Sequence, residues 1–135
     1  ILRPGDKTAL IGQNDIQTTA LIRALMDDIE YEGTVKWGVT TSRSYLPKDN
    51  SRDFAGGESI LDWLRQFASK EEDDNTFLRG FLGRMLFSGD EVNKSVNVLS
   101  GGEKVRVMLS KLMLLKSNVL VLDDPIIWIW SLSQV

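Results

Sequence analysis

Four apolar residues, Val119-Leu120-Val121-Leu122, run directly into Asp123-Asp124-Pro125. A strand that ends in carboxylates delivers them to the carboxyl edge of a sheet, where α/β proteins bind ligands and where a phosphate-bound Mg²⁺ is commonly held. Such acids can equally do no more than cap the next helix, so the reading needs an independent partner motif. Leu99-Ser100-Gly101-Gly102-Glu103 supplies it upstream. Two glycines opening a helix let backbone N–H groups approach a phosphate closely, Ser100 adds a hydroxyl, and the helix dipole favours the anion. A generic Ser-Gly-Gly would read as a serine cap on a flexible turn. This string, followed by Lys104, a long amphipathic helix and an apolar strand ending in Asp-Asp-Pro, is far more specific.

Composition removes other chemistries. With Cys 0 and His 0 there is no disulfide framework, no thiolate zinc site, no thiol nucleophile and no imidazole shuttle. Reactions must run on carboxylates, hydroxyls, amines and backbone amides. The chain has 135 residues, 42% hydrophobic and 26% charged, which suits one core of a globular domain. Lys+Arg 16 against Asp+Glu 19 gives a formal net charge of −3, which argues against gripping nucleic acid through bulk positive charge. No leader and no apolar run of about 20 residues is present, so the expected location is the cytoplasm, with no membrane span.

The elements that must position these groups follow from periodicity. Thr8–Ile11 reads as a strand stopped by Gly12, and a helix follows Gln13-Asn14-Asp15, its apolar stripe running from about Thr18 to Ile29. Gly33–Trp37 and Arg43–Leu46 read as further strands, the second ending before Pro47. From Asp49 to Val98 the helical repeat takes over. Ile60, Leu61, Leu64 and Phe67 share one face; Phe77, Leu78, Phe81, Leu82 and Met85 share another, entered through Glu71-Glu72-Asp73-Asp74-Asn75, read as a solvated loop and cap. Val105, Met108, Leu109, Leu112 and Leu115 mark the helix after Gly102, and Asn118–Leu122 a buried strand.

With these motifs in order, the chain resembles the ATP-binding cassette superfamily, and within it the ABC-F proteins, twin-cassette ATPases without membrane domains. LSGGE looks like the signature motif and VLVLDDP like Walker B. The stretches KWGVTTSRSYLPKDN and FLRGFLGRMLFSGDEV are most similar to the second cassette of YbiT-type ABC-F proteins. The likeness covers residues 1–125 and implies an α/β fold: a P-loop NTPase-like ABC nucleotide-binding domain with an inserted helical subdomain at about 50–116, left incomplete. It implies ATP and Mg²⁺ as cofactors, the other cassette of the same protein as partner, and a role on the ribosome with its rRNA and tRNA. Asp123 would hold magnesium and Asp124 would stand where the family has its catalytic Glu. Being one methylene shorter, Asp124 should turn over more slowly. Leu99, Ser100, Gly101, Gly102 and Glu103 would close over ATP held by the partner cassette. Another reading is the ATP-binding subunit of a membrane transporter.

The departures bear on the chain's own loop. A working phosphate loop is G-x-x-x-x-G-K-[ST], its Lys neutralising the β and γ phosphates. Counted from Gly12, Gln17 replaces the second Gly and Thr18 the Lys, leaving Gly12, Asn14 and Thr19, the last at the magnesium-coordinating position. The loop should therefore bind ATP weakly. Lys48 replaces the Q-loop Gln, which removes the usual γ-phosphate sensor.

The last ten residues depart completely. Where the family would continue after Pro125 with TNHLDLESI, this chain has IIWIWSLSQV. Joining the third base of each codon to the first two of the next recovers NHLDLESI, with its Asp forced by the Trp128–Ile129 codons. Residues 126–135 are therefore expected to be out-of-frame translation, and the expected product a non-functional, poorly soluble fragment that lacks the sheet's closing strands.

Overall fold

Asn14 starts the first helix because its side chain takes over a backbone donor that a helix start leaves orphaned. Its Oδ1 accepts from the Ile16 amide at 2.8 Å. Helix α1 then runs Asp15–Leu25, with Asp15 in its first turn and Arg23 in its last, both matching the helix dipole. Its end is a Schellman motif. Asp28 N–H donates to Arg23 O and Asp27 N–H to Ala24 O, with Asp27 left-handed at φ 60°. The stripe expected to reach Ile29 is cut at Leu25 by this turn, which Arg23 and Asp28 close with a 2.6 Å ion pair.

The computed structural model describes residues 1–124, so the expectation for residues 126–135 lies outside the described residues. The chain divides into two units, Ile1–Trp37 and Gly38 onward. In the first unit, neither Thr8–Ile11 nor Gly33–Trp37 forms the expected strand. A strand persists when a neighbour takes its N–H and C=O groups, and neither segment has one among the described residues. Ile11 is 90% exposed. Trp37 instead donates its indole N–H to the Leu25 carbonyl at 3.1 Å, serving the C-terminal end of α1.

In the second unit, the expected strand Arg43–Leu46 forms β1, and Val119–Leu122 forms β2. They pair in parallel with Arg43 opposite Val119 and Leu46 opposite Leu122. Asn118 fixes this register from below: its Oδ1 accepts from Ser42 N–H at 2.9 Å and its Nδ2 donates to Thr40 O at 2.8 Å. Between the strands lie α2 (Ile60–Arg65), α3 (Asn75–Arg84) and α4 (Gly101–Leu115), with short 3-10 turns over Ser51–Phe54, Gly89–Asn93 and Val96–Val98. Each helix has a side-chain cap. Ser59 accepts from Asp62 N–H, Asp74 from Phe77 N–H, and Ser100 from Glu103 N–H. The acidic run before α3 thus serves as loop and cap, as expected.

The core lies wholly in this unit. Ile60, Leu64, Leu78, Leu82, Phe87 and Met108 are all essentially inaccessible, and Leu46 carries β1 into the same cluster. Each such side chain contributes about 1.5–3 kcal/mol on burial. Trp63 ties the cluster to the segment after β1, stacking on Phe54 at 4.9 Å and donating its indole N–H to Asp53 O at 2.7 Å. One expectation needs correcting here: β2 is not buried. Leu120 is 54% exposed, because among the described residues the sheet has two strands and the face carrying Leu120 and Leu122 is uncovered. No helix among the described residues is long and apolar enough to cross a membrane.

Candidate functional site

The carboxyl edge of the sheet is built by register. Because Leu46 faces Leu122, residues just beyond the two strands emerge side by side. Asp123 N–H donates to Leu46 O at 3.0 Å, extending the ladder one step. Asp123 is 3% exposed, whereas Asp124 is half-buried at φ 52°. A left-handed aspartate costs about 1–2 kcal/mol relative to an unstrained backbone, and such strain gathers where a side chain must be aimed. Lys48, two residues past β1, brings its Nζ to 3.3 Å from Asp124 Oδ2. Both expected acids and the expected Q-loop position therefore meet at one edge.

The signature residues form the start of α4. Ser100 Oγ accepts from Glu103 N–H at 3.3 Å while Glu103 Oε2 accepts from Ser100 N–H at 2.8 Å, a capping box. Lys94 adds an ion pair to Glu103 Oε1 at 3.0 Å. The Ser100 amide, first, holds the Glu103 carboxyl below its usual range, with Lys94 helping; Glu103 in turn raises the Lys94 ammonium. Leu99 anchors the string from the core at 6% exposure, leaving Ser100 and Gly101 exposed. A Cβ built on Gly101 would meet nothing within 4 Å, so this chain itself leaves room there. Lys94 is the contributor that sequence reasoning missed. No periodic or motif signal marks it, since it lies in the turn that leads to the motif.

Gly12, Asn14, Thr18 and Thr19 belong to the first unit, at the start of α1. Here the loop has closed on itself. Thr18 Oγ1 donates to Asn14 O at 3.2 Å and lies where a Cβ on Gly12 would be. Asn14 caps the helix and Asp15 places a negative charge in its first turn, where a bound phosphate would need positive potential. The residues present do not fit a phosphate cradle of the usual kind. The magnesium side fits better. Among the described residues no group of three or more His, Cys, Asp or Glu side chains is placed to hold a metal ion together. A Mg²⁺ carried by phosphates needs one or two carboxylates, and in the second unit the Asp123 carboxylate, at the end of β2, is of the right chemistry for such a ligand.

Comparison with known proteins agrees with this set of parts. The ABC transporter family model matches residues 1–127. The chain is 54% identical over 127 residues to the uncharacterized ABC transporter ATP-binding protein YkpA of Bacillus subtilis (strain 168), covering 93% of this chain and 23% of that protein. It is 37% identical over 126 residues to the probable ATP-binding protein YbiT of Escherichia coli O157:H7, covering 93% and 24%. Against the ATP-binding protein Uup of Buchnera aphidicola subsp. Schizaphis graminum it is 34% identical over 128 residues, covering 93% and 22%. The chain thus spans about a quarter of the relatives' length. Signature helix, acidic strand end and matched relatives converge: the chain belongs to the ABC transporter family, among ATP-binding proteins of the ABC-F type.

Proposed function

We propose that this chain is the nucleotide-binding domain of a second cassette in a soluble, cytoplasmic ABC-F ATPase, and that it serves its partner cassette better than itself. One observation carries the reading: a single unit presents an intact, exposed Ser100-Gly101 helix start together with a buried Asp123 at the carboxyl end of β2. The first would complete a site on the partner cassette's ATP, and the second would hold that family's Mg²⁺. The self-closed Gly12–Thr19 loop supports the other half of the reading, weak binding of ATP at the chain's own site and little hydrolysis by the chain alone. Asp124 is the acid assigned to orient water, with Lys48 at the Q-loop position. Residues 1–125 form the cassette portion, with a helical subdomain at about 50–116, and residues 126–135 an out-of-frame tail. Action on the ribosome and its tRNA comes from the resemblance to ABC-F proteins.

Gly101→Asp tests this in the full-length twin protein. The open space around Gly101 and the preference of helix starts for Asp mean the variant should fold as well as the parent. A carboxylate aimed at a partner's phosphate should nonetheless remove most ATPase activity, measured as phosphate release. Undiminished activity in a folded variant would show that this helix start takes no part in the partner's site.

A further inference from the structure

We propose that Lys94 is a positioning residue for the start of α4: its ammonium occupies the outer carboxylate oxygen of Glu103, so that the helix start meets a phosphate without an uncompensated negative charge beside it. The inference rests on the reading that this helix start completes the partner cassette's ATP site, and it adds a residue that the reading does not require.

Three observations carry it. The first is a conflict of charge inside the motif. The capping box uses the Ser100 and Glu103 amides, which leaves those of Gly101 and Gly102 to an incoming anion. The same box fixes a carboxylate within one helical turn of them, where a bare negative charge repels the anion that the helix dipole attracts. The second is how the conflict is met. Glu103 Oε2 accepts from Ser100 N–H at 2.8 Å, and Lys94 Nζ stands 3.0 Å from Oε1, so both carboxylate oxygens are engaged. Glu91 is the more distant acid, 3.8 Å from the same Nζ, and its Oε2 already accepts from Ser88 N–H. The third is that the lysine is held in place. Lys94 N–H donates to Glu91 O at 3.1 Å, and its carbonyl accepts from the N–H of Ile60, the first residue of α2, at 3.0 Å. Such anchoring has little value for stability, because the Lys94 side chain is 43% exposed and a screened pair contributes little to folding. Its value is to keep one positive charge on Glu103.

The test is steady-state ATP hydrolysis by the full-length twin protein, with thermal midpoints measured on every variant. Lys94→Gln exposes the Glu103 charge and should raise KM for ATP by about fivefold, with the larger part of the effect in KM and not kcat. Lys94→Arg should recover most of the loss. Glu103→Gln should lower KM, and Lys94→Gln with Glu103→Gln should bring it back to within about twofold of the parent, since the pair is then neutral again. The midpoint of that double variant should be no higher than that of Glu103→Gln, so its recovered KM cannot come from recovered stability. An unchanged KM in folded Lys94→Gln overturns the inference. A raised KM that persists in the double variant also overturns it, because Lys94 would then act by some route other than Glu103. Gly101→Asp separates the two levels: if it removes activity while Lys94→Gln does not move KM, the reading stands and only the inference falls, whereas undiminished activity in folded Gly101→Asp overturns both.

Discussion

At the scale of single residues, what separates this chain from a working phosphate loop is the chemistry of two side chains. A glycine at position 17 would let backbone amides converge on an anion, and a lysine at 18 would neutralise it. Gln17 and Thr18 do neither, and the Thr18 hydroxyl, donated to Asn14 O, keeps the turn satisfied internally. The same argument gives the repair. Gln17→Gly with Thr18→Lys should tighten Mg·ATP by about tenfold or more, the effect of one charge-assisted phosphate contact plus a freed nest. Calorimetry on the double variant checks it. An unchanged affinity would mean that Asp15, which keeps its negative charge in the first turn, dominates the loop.

At the scale of elements, α4 shows how a functional motif doubles as a structural one. Ser100 and Glu103 stabilise the helix start through the capping box whether or not a nucleotide is near. Glu103 gives this a pH dependence of known sign. Its carboxyl titrates below its ordinary value of 4.5, because the Ser100 amide and Lys94 favour the charged form. The folded state therefore holds this proton less tightly than the unfolded state. The stabilisation is complete above the unfolded value and is lost as pH falls through the folded one. Glu103→Gln keeps an acceptor for Ser100 N–H but removes the charge. Parent and variant should differ most near neutral pH, and their thermal midpoints should converge well below pH 4.5. A gap that stays constant across that range would assign the effect to packing. The same helix shows what was legible in advance. Caps, apolar stripes and the Ser-Gly-Gly start are local patterns, and α2, α3, α4, β1 and β2 follow from them. What failed was non-local. Thr8–Ile11 and Gly33–Trp37 have strand-like residues but no neighbouring strand among the described residues, and no sequence pattern states whether a neighbour exists. The Lys48–Asp124 pair was invisible for the same reason, since only the register of β1 on β2 brings position 48 to position 124.

At the scale of the whole molecule, stability is unevenly distributed. The apolar cluster that joins β1, α2, α3 and α4 lies entirely beyond Gly38. In the first unit the buried apolar residues are Ile22 and Ala24, both on α1. That helix has 11 residues, and helices shorter than about 12–15 residues are marginal without packing, so its caps alone cannot hold it strongly. Hydrogen exchange should therefore resolve two classes of amide in the native chain. Amides of α3 and α4 should open only with the core and exchange slowest. Those of α1 should exchange markedly faster, and those of residues 1–13 close to the rate of an unstructured peptide. Raising denaturant should bring the α3 and α4 amides down together while leaving the α1 rates nearly flat, because local opening of α1 exposes little surface. Amides of α1 that tracked α4 across the denaturant series would show one cooperative unit instead. The functional consequence depends on which result holds. If α1 opens alone, a nucleotide at the Gly12–Thr19 loop must first order that helix, and this lowers its affinity by the fraction of time the helix is formed. The signature start of α4, held by the core, would meet a partner cassette already in place.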